Sequence, residues 1–165
     1  MKSSQLALAT LATAFACNAA MAAPISRTEL TMAVAACQSA LPVFDGVIRK
    51  RPLAVQNEGT SSAFMTCGLE GVFSAQPHST FIGIGLLNTG TQAVTVNCTL
   101  VDGGNGFAAP EYFPVSRVVQ PGSTSEISWS PEDPAGFIYP AISCNLAPGT
   151  GIQYLARQFM EEIGN

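Results

Sequence analysis

Four cysteines, Cys37, Cys67, Cys98 and Cys144, carry the clearest chemistry of the chain. A fifth, Cys17, lies in an N-terminal stretch read below as a leader. An even set in an exported chain predicts two disulfides, and four cysteines allow three connectivities. No pair is spaced C-x-x-C, so the set reads as structural cross-links and not as a redox catalyst. Strand parity narrows the pairing. In 92–101 the even positions Val94, Val96, Cys98 and Leu100 are apolar and alternate with Thr95, Asn97 and Thr99; in 138–146, Ile138, Ile142, Cys144 and Leu146 do the same. Side chains alternate faces along a strand, so Cys98 and Cys144 both point to the buried side. That favours a Cys98–Cys144 bridge in the core and leaves Cys37 to Cys67.

Other reactive side chains are sparse. His78 is the only histidine and stands between Pro77 and Ser79 in a loop. One histidine cannot supply a metal cluster, and a Ser-His-Asp hydrolase would have to draw its base from it alone. There is no G-x-S-x-G elbow and no Ser-x-x-Lys. Asp102-Gly103-Gly104-Asn105-Gly106, with Glu132 and Asp133, offers oxygens to calcium, but the regular spacing of an EF-hand is absent and a plain turn is the simpler reading. Arg49-Lys50-Arg51 is the one basic run and reads as a solvated strand end. Asn97-Cys98-Thr99 has the form of a glycosylation sequon and is incidental beside a bacterial-type leader. The sequence predicts no catalytic residue, no cofactor and no metal site. The aromatics Tyr112, Phe113, Phe137 and Tyr139 flank the loops 102–112 and 131–137. Exposed together they would form a surface able to stack on sugar rings; otherwise they are core and rim packing.

The elements that would position these groups are short strands. Arg51 to Gln56, Ser62 to Leu69, Ser79 to Leu87, the two cysteine strands, Phe113 to Val119, Thr124 to Ser130 and Ile152 to about Met160 read as eight strands. They are separated by Asn57-Glu58-Gly59-Thr60, Asn88-Thr89-Gly90-Thr91, Pro121-Gly122 and Pro148-Gly149 turns. Ala63, Met65, Cys67 and Leu69 face inward on one strand, and Ile82, Ile84 and Leu86 on the next. Gly83 and Gly85 leave the other face of that strand thin, a mark of a bulge or a close backbone approach. Trp129 alternates with Glu126 and Ser128 and is predicted to be core. Ser26-Arg27-Thr28-Glu29 matches a capping box, with the Ala-rich run to Gln38 after it, so 23–40 reads as a short helix or, alternatively, as an N-terminal arm that is disordered. Strands with no helices between them predict an all-β, antiparallel β-sandwich over 41–165, immunoglobulin-like, with two disulfides.

Residues 1–22 read as a secretory signal peptide. Lys2 precedes an apolar stretch from Leu6 to Ala16, and Ala20-Met21-Ala22 is a small-x-small cleavage site. A lipoprotein signal at Cys17 fits less well, because Ala14-Phe15-Ala16 lacks the usual leucine. The expected destination is periplasmic or extracellular. Charged residues make up only 11% of the chain against 47% hydrophobic, which excludes intrinsic disorder. No second apolar run is long enough to span a membrane. Once Lys2 leaves with the leader, six basic residues face eleven acidic ones, a balance that argues against nucleic acid as a partner.

Residues 86–130 resemble the immunoglobulin-like modules of exported bacterial proteins. The likeness runs through Leu86-Leu87-Asn88-Thr89-Gly90, Val94 to Leu100, and Gln120-Pro121-Gly122-Ser123 up to Trp129. Cys37, Phe44-Asp45-Gly46 and Thr66-Cys67 resemble the opening of fimbrial and spore-coat-type secreted subunits, in which an early disulfide ties the first two strands. The ending Met160 to Asn165 departs from the alternating, aromatic-bearing last strand of fimbrial subunits. The first resemblance implies a fold and no activity. The expected function is non-catalytic surface binding, to a protein or glycan partner, in adhesion, envelope structure or recognition. The alternatives are a subunit of a fimbrial or coat-like assembly and a carbohydrate-binding module.

Overall fold

The computed structural model describes residues 24–70, 78–103, 109–132 and 136–162. The expected leader with its expected cleavage site and Cys17, the loop residues Gly104 to Gly106, Asp133 and the ending Ile163 to Asn165 lie outside the described residues.

The strands are β1 (Pro24–Met32), β2 (Cys37–Ser39), β3 (Ile48–Arg51), β4 (Ala54–Asn57), β5 (Ala63–Gly68), β6 (Ser79–Asn88), β7 (Val94–Asp102), β8 (Glu111–Val119), β9 (Ser123–Trp129), β10 (Pro140–Leu146) and β11 (Thr150–Glu162). They form two antiparallel sheets. The six-stranded sheet runs β3-β4-β11-β6-β9, with β1 also paired to β11, and the five-stranded sheet runs β2-β5-β10-β7-β8. The expected β-sandwich is thus the observed fold, with three strands (β1, β2 and β3) more than the eight read from the sequence.

The core lies between the sheets and follows the predicted parity. Met65 and Cys67 on β5, Ile82, Ile84 and Leu86 on β6, Val96, Cys98 and Leu100 on β7, Ile127 and Trp129 on β9, and Ile142, Cys144 and Leu146 on β10 are all buried. Each fully buried aliphatic side chain contributes about 1.5–3 kcal/mol by leaving water. Trp129 keeps its polar edge satisfied, since its Nε1 donates to the Phe113 carbonyl at 2.8 Å. The Pro121-Gly122 turn forms where expected, with Gly122 at φ +63°, the left-handed conformation this turn position needs.

Both disulfides have the predicted partners, Cys37–Cys67 and Cys98–Cys144. Their location adds something that parity could not give. Cys37 lies directly opposite Cys67 on β2 and β5, and Cys98 directly opposite Cys144 on β7 and β10. Each bridge therefore joins neighbouring strands within the five-stranded sheet.

The capping-box reading does not hold. Ser26 to Glu29 belong to β1, and the helix that follows is the single turn α1 (Ala33–Ala36). A capping box stabilises a helix locally, by about a kcal/mol. The strand gains nine cross-strand pairs with β11, from Pro24↔Glu162 to Met32↔Tyr154, and the ion pairs Arg27–Glu161 and Glu29–Arg157. Tertiary pairing outweighs the local signal.

Two asparagines build the corners at one end of the sandwich. Asn57 and Asn88 are both buried. The Asn57 Nδ2 donates to the carbonyls of Ser61 and Leu146, and its Oδ1 accepts from the Gly59 N–H. Asn88 repeats the arrangement with Gln92, Val119 and Gly90. One side chain thus closes its own turn and ties it to a strand of the other sheet. Asn88→Ala removes three hydrogen bonds and strands the buried Val119 carbonyl, so thermal or denaturant unfolding is expected to show a loss of about 2–4 kcal/mol.

Candidate functional site

The outward face of the six-stranded sheet is set by one irregularity in β11. Strict alternation from the buried Ile152 would turn Tyr154 into the core and Leu155 out. A register shift between Ile152 and Tyr154 breaks the alternation: Ile152 pairs with Leu86, but Tyr154 pairs with Gly85 and Leu155 with Ile84. The extra residue, Gln153, reverses the parity of everything after it. Leu155 is buried and Tyr154 faces outward.

Once outward, the Tyr154 ring lies on the bare backbone of Gly85. A β-carbon on Gly85 would sit 2.7 Å from both Cδ1 and Cζ of the ring, with Cε1 nearer still. Three successive ring atoms at such similar distances mean that the ring meets the glycine face-on; an edge-on ring would bring one atom close and hold its neighbours well away. Phe81 also closes over its neighbouring glycine, with Cε1 and Cζ at 3.0 and 3.1 Å from the β-carbon position on Gly83. Both glycines are buried beneath these rings, and both rings are half-buried, with outer surface left to solvent. The thin face expected from Gly83 and Gly85 is therefore a pair of ring seats.

Polar groups flank the rings. The Glu126 Oε1 reaches 3.1 Å from the same β-carbon position on Gly83. Gln158 pairs with Phe81 across β11 and β6. Thr124 and Ser128 of β9 are exposed and pair with Leu87 and Gly83. Beyond Leu87 the face continues into an open groove of about 370 Å³ lined by Arg51, Leu53, Gln56, Leu87 and Gln153. From Phe81 to Leu87 the track follows β6 for roughly 20 Å, at about 3.3 Å per residue.

A larger cavity, about 610 Å³, opens between the sheets beside Glu29, Leu69, Glu70 and Arg157. Its arginine is already engaged. The Arg157 Nε and Nη2 donate to Glu29, Nη1 donates to the Glu70 carbonyl, and the guanidinium stands 4.7 Å from the Phe159 ring centre. An arginine so occupied is a strut holding β11 to its surroundings, and the outer face of the sheet is the better candidate.

The four aromatics singled out in the sequence do not gather on one surface. Tyr112 is 64% exposed, whereas Phe137 is buried and Phe113 packs against the core. Phe113 and Phe137 meet edge-to-face at 5.4 Å between ring centres, and Tyr139 is half-buried. Asp102 has a structural role: its carboxylate accepts from the Ile138 and Tyr139 N–H groups, which clamps the loop entering β10. Among the described residues no group of three or more His, Cys, Asp or Glu is placed to hold a metal ion. His78 is half-buried, and among the described residues its Nδ1 has no hydrogen-bond partner.

The basic run is used locally. Arg51 makes a two-pronged pair with Glu58 at 2.6 and 2.7 Å, and Lys50 donates to the Val34 carbonyl. Those hydrogen bonds from Arg51 hold the Glu58 carboxyl below the usual carboxylate range.

No family model matches the chain, and no curated protein matches it. Similar solved structures include a Clostridium thermocellum endo-1,4-β-D-xylanase 10B fragment, its CBM22-1 and GH10 modules complexed with xylohexaose. It is 14% identical with a TM-score of 0.43, over 68% of this chain and 22% of that one. TmCBM61 in complex with β-1,4-galactotriose is 12% identical with a TM-score of 0.40, over 82% of this chain and 88% of that one. The family 11 carbohydrate-binding module from Clostridium thermocellum, in complex with a β-1,3-1,4-mixed-linked tetrasaccharide, is 12% identical with a TM-score of 0.37, over 84% and 86%.

Proposed function

We propose that this is an exported, non-catalytic β-sandwich protein that binds carbohydrate on the outer face of its six-stranded sheet. The observation that carries the reading is the face-on seating of Tyr154 on Gly85, with Phe81 seated on Gly83 beside it. A ring held flat against backbone presents its other face to solvent at little conformational cost. The axial C–H bonds of a pyranose carry slight positive charge and match the negative face of an aromatic ring. Side chains along the track supply the complementary polar contacts: the Glu126 carboxylate, the Gln158 amide and the Thr124 and Ser128 hydroxyls accept from or donate to sugar hydroxyls. A few such groups around an apolar platform are what orient a ligand.

Charge selects among sugars. Glu126 stands against the Phe81 platform, so a uronic acid would place like charge beside it, whereas a neutral hexose or pentose would not. Export through the 1–22 leader is part of the proposal, and the two disulfides support an oxidising destination. Adhesion, envelope structure and recognition all remain within this reading, since each works through a bound surface.

The test is affinity electrophoresis of the oxidised protein through gels containing neutral or acidic polysaccharides, followed by calorimetry with oligosaccharides of any that retard it. Retardation by a neutral polysaccharide and none by a polyuronate is the expected result. Free migration through every neutral polysaccharide would overturn the proposal.

A further inference from the structure

We propose that β1 pairs with β1 of a second copy, antiparallel and about a two-fold axis through Thr28, joining two six-stranded sheets into one. Among the described residues β1 pairs only with β11, so toward them its other edge presents backbone donors and acceptors that no strand takes up. All nine of its residues are exposed, including Ile25 at 39%, Leu30 at 70% and Met32 at 42%. An edge of this length is a template for another strand unless something blunts it.

Charge on that edge names the occupant. With Thr28 opposite Thr28 of the second copy, Arg27 faces Glu29 of the other strand, and Glu29 faces Arg27. Both residues project from the same side of β1, and Glu29 already pairs with Arg157 on β11. The dimer therefore sets Arg157, Glu29 and the second copy's Arg27 in a row of alternating sign across three strands. The smallest slip that keeps the faces matched is two residues. In one direction it sets Arg27 against Arg27, in the other Glu29 against Glu29, and like charges directly opposite one another are destabilising. The sequence of β1 thus favours one self-pairing register over its neighbours.

On the outward side, Leu30 would lie opposite Ser26 and Met32 opposite Pro24, covering apolar surface that one copy leaves to water. A two-fold between antiparallel strands of one sheet is perpendicular to it, so both copies present the same face in the same direction. If that face binds glycan as proposed above, the dimer is bivalent, but the pairing itself does not rest on that reading.

The experiment is light scattering after size exclusion on the oxidised protein lacking residues 1–22, over a range of concentrations, with no glycan present. The expected mass is twice that of one chain. Thr28→Glu and Thr28→Lys each set a charge against its own copy at the axis. Each is expected to raise the dissociation midpoint about fivefold or more. An equimolar mixture should restore the dimer, with the mixed species dominant by native mass spectrometry. A single-chain mass at every concentration for the unmodified protein would overturn the proposal. So would dimers that persist equally in both variants, with a mixture that shows no preference for the mixed species.

Discussion

Tyr154→Ala is expected to weaken binding of a neutral oligosaccharide at least 30-fold, about 2 kcal/mol, the loss typical of a central aromatic anchor. Folding should suffer little, because the ring is half-buried on the outer face and its removal opens no cavity in the core. Tyr154→Phe keeps the stacking surface and should bind within a few-fold of the unmodified protein. Gly85→Ala is the converse probe, leaving the ring intact but removing its seat. The added methyl would stand 2.7 Å from Cδ1 and Cζ, well inside van der Waals contact, so the ring must swing away. Binding should fall about as far as with Tyr154→Ala. Calorimetry on the three variants separates the outcomes, and unchanged affinity in Tyr154→Ala would remove the basis of the carbohydrate reading.

What was legible in the sequence was whatever depended on near neighbours. Period-two alternation around Cys98 and Cys144 gave the buried face and the bridge, and the same logic placed Trp129 in the core. The Asn57-x-Gly59 and Asn88-x-Gly90 turns were visible as turns. That their amides also reach Leu146 and Val119 was not, since those carbonyls belong to strands 89 and 31 residues away. The platform was half visible. Gly83 and Gly85 announced a close approach, but the ring on Gly85 comes from β11, aimed by a bulge at Gln153 that alternation does not reveal. A useful signal would have been the tyrosine in the last strand, weighed against a strand with glycine at alternate positions. The aromatics near the loops attracted attention through spacing, yet Phe113 and Phe137 are needed inside. β1 misled because a capping box lies within four consecutive residues, whereas its strand partner begins more than a hundred residues later.

Removing the Cys98–Cys144 bridge as Cys98→Ala/Cys144→Ala is expected to cost about 4 kcal/mol, given the sequence separation of 46 residues. Removing Cys37–Cys67, with a separation of 30, should cost about 3.5 kcal/mol by the same chain-entropy estimate. In a domain of this size each loss lowers Tm by about 10–15 °C. Without both bridges the protein gives up about 7–8 kcal/mol of the 5–15 that domains typically possess, so full reduction should leave it largely unfolded at 37 °C. Scanning calorimetry of the oxidised, singly deleted and reduced forms checks this, and a reduced protein that melts with the oxidised one would contradict it. The placement of the bridges makes a finer point. Both staple the five-stranded sheet, whereas Tyr154, Phe81 and their glycine seats belong to the six-stranded one. A singly deleted protein held well below its lowered Tm should therefore bind oligosaccharide within about twofold of the intact one. Loss of binding in step with Tm would mean that the bridges shape the ring track directly, through the core that the two sheets share.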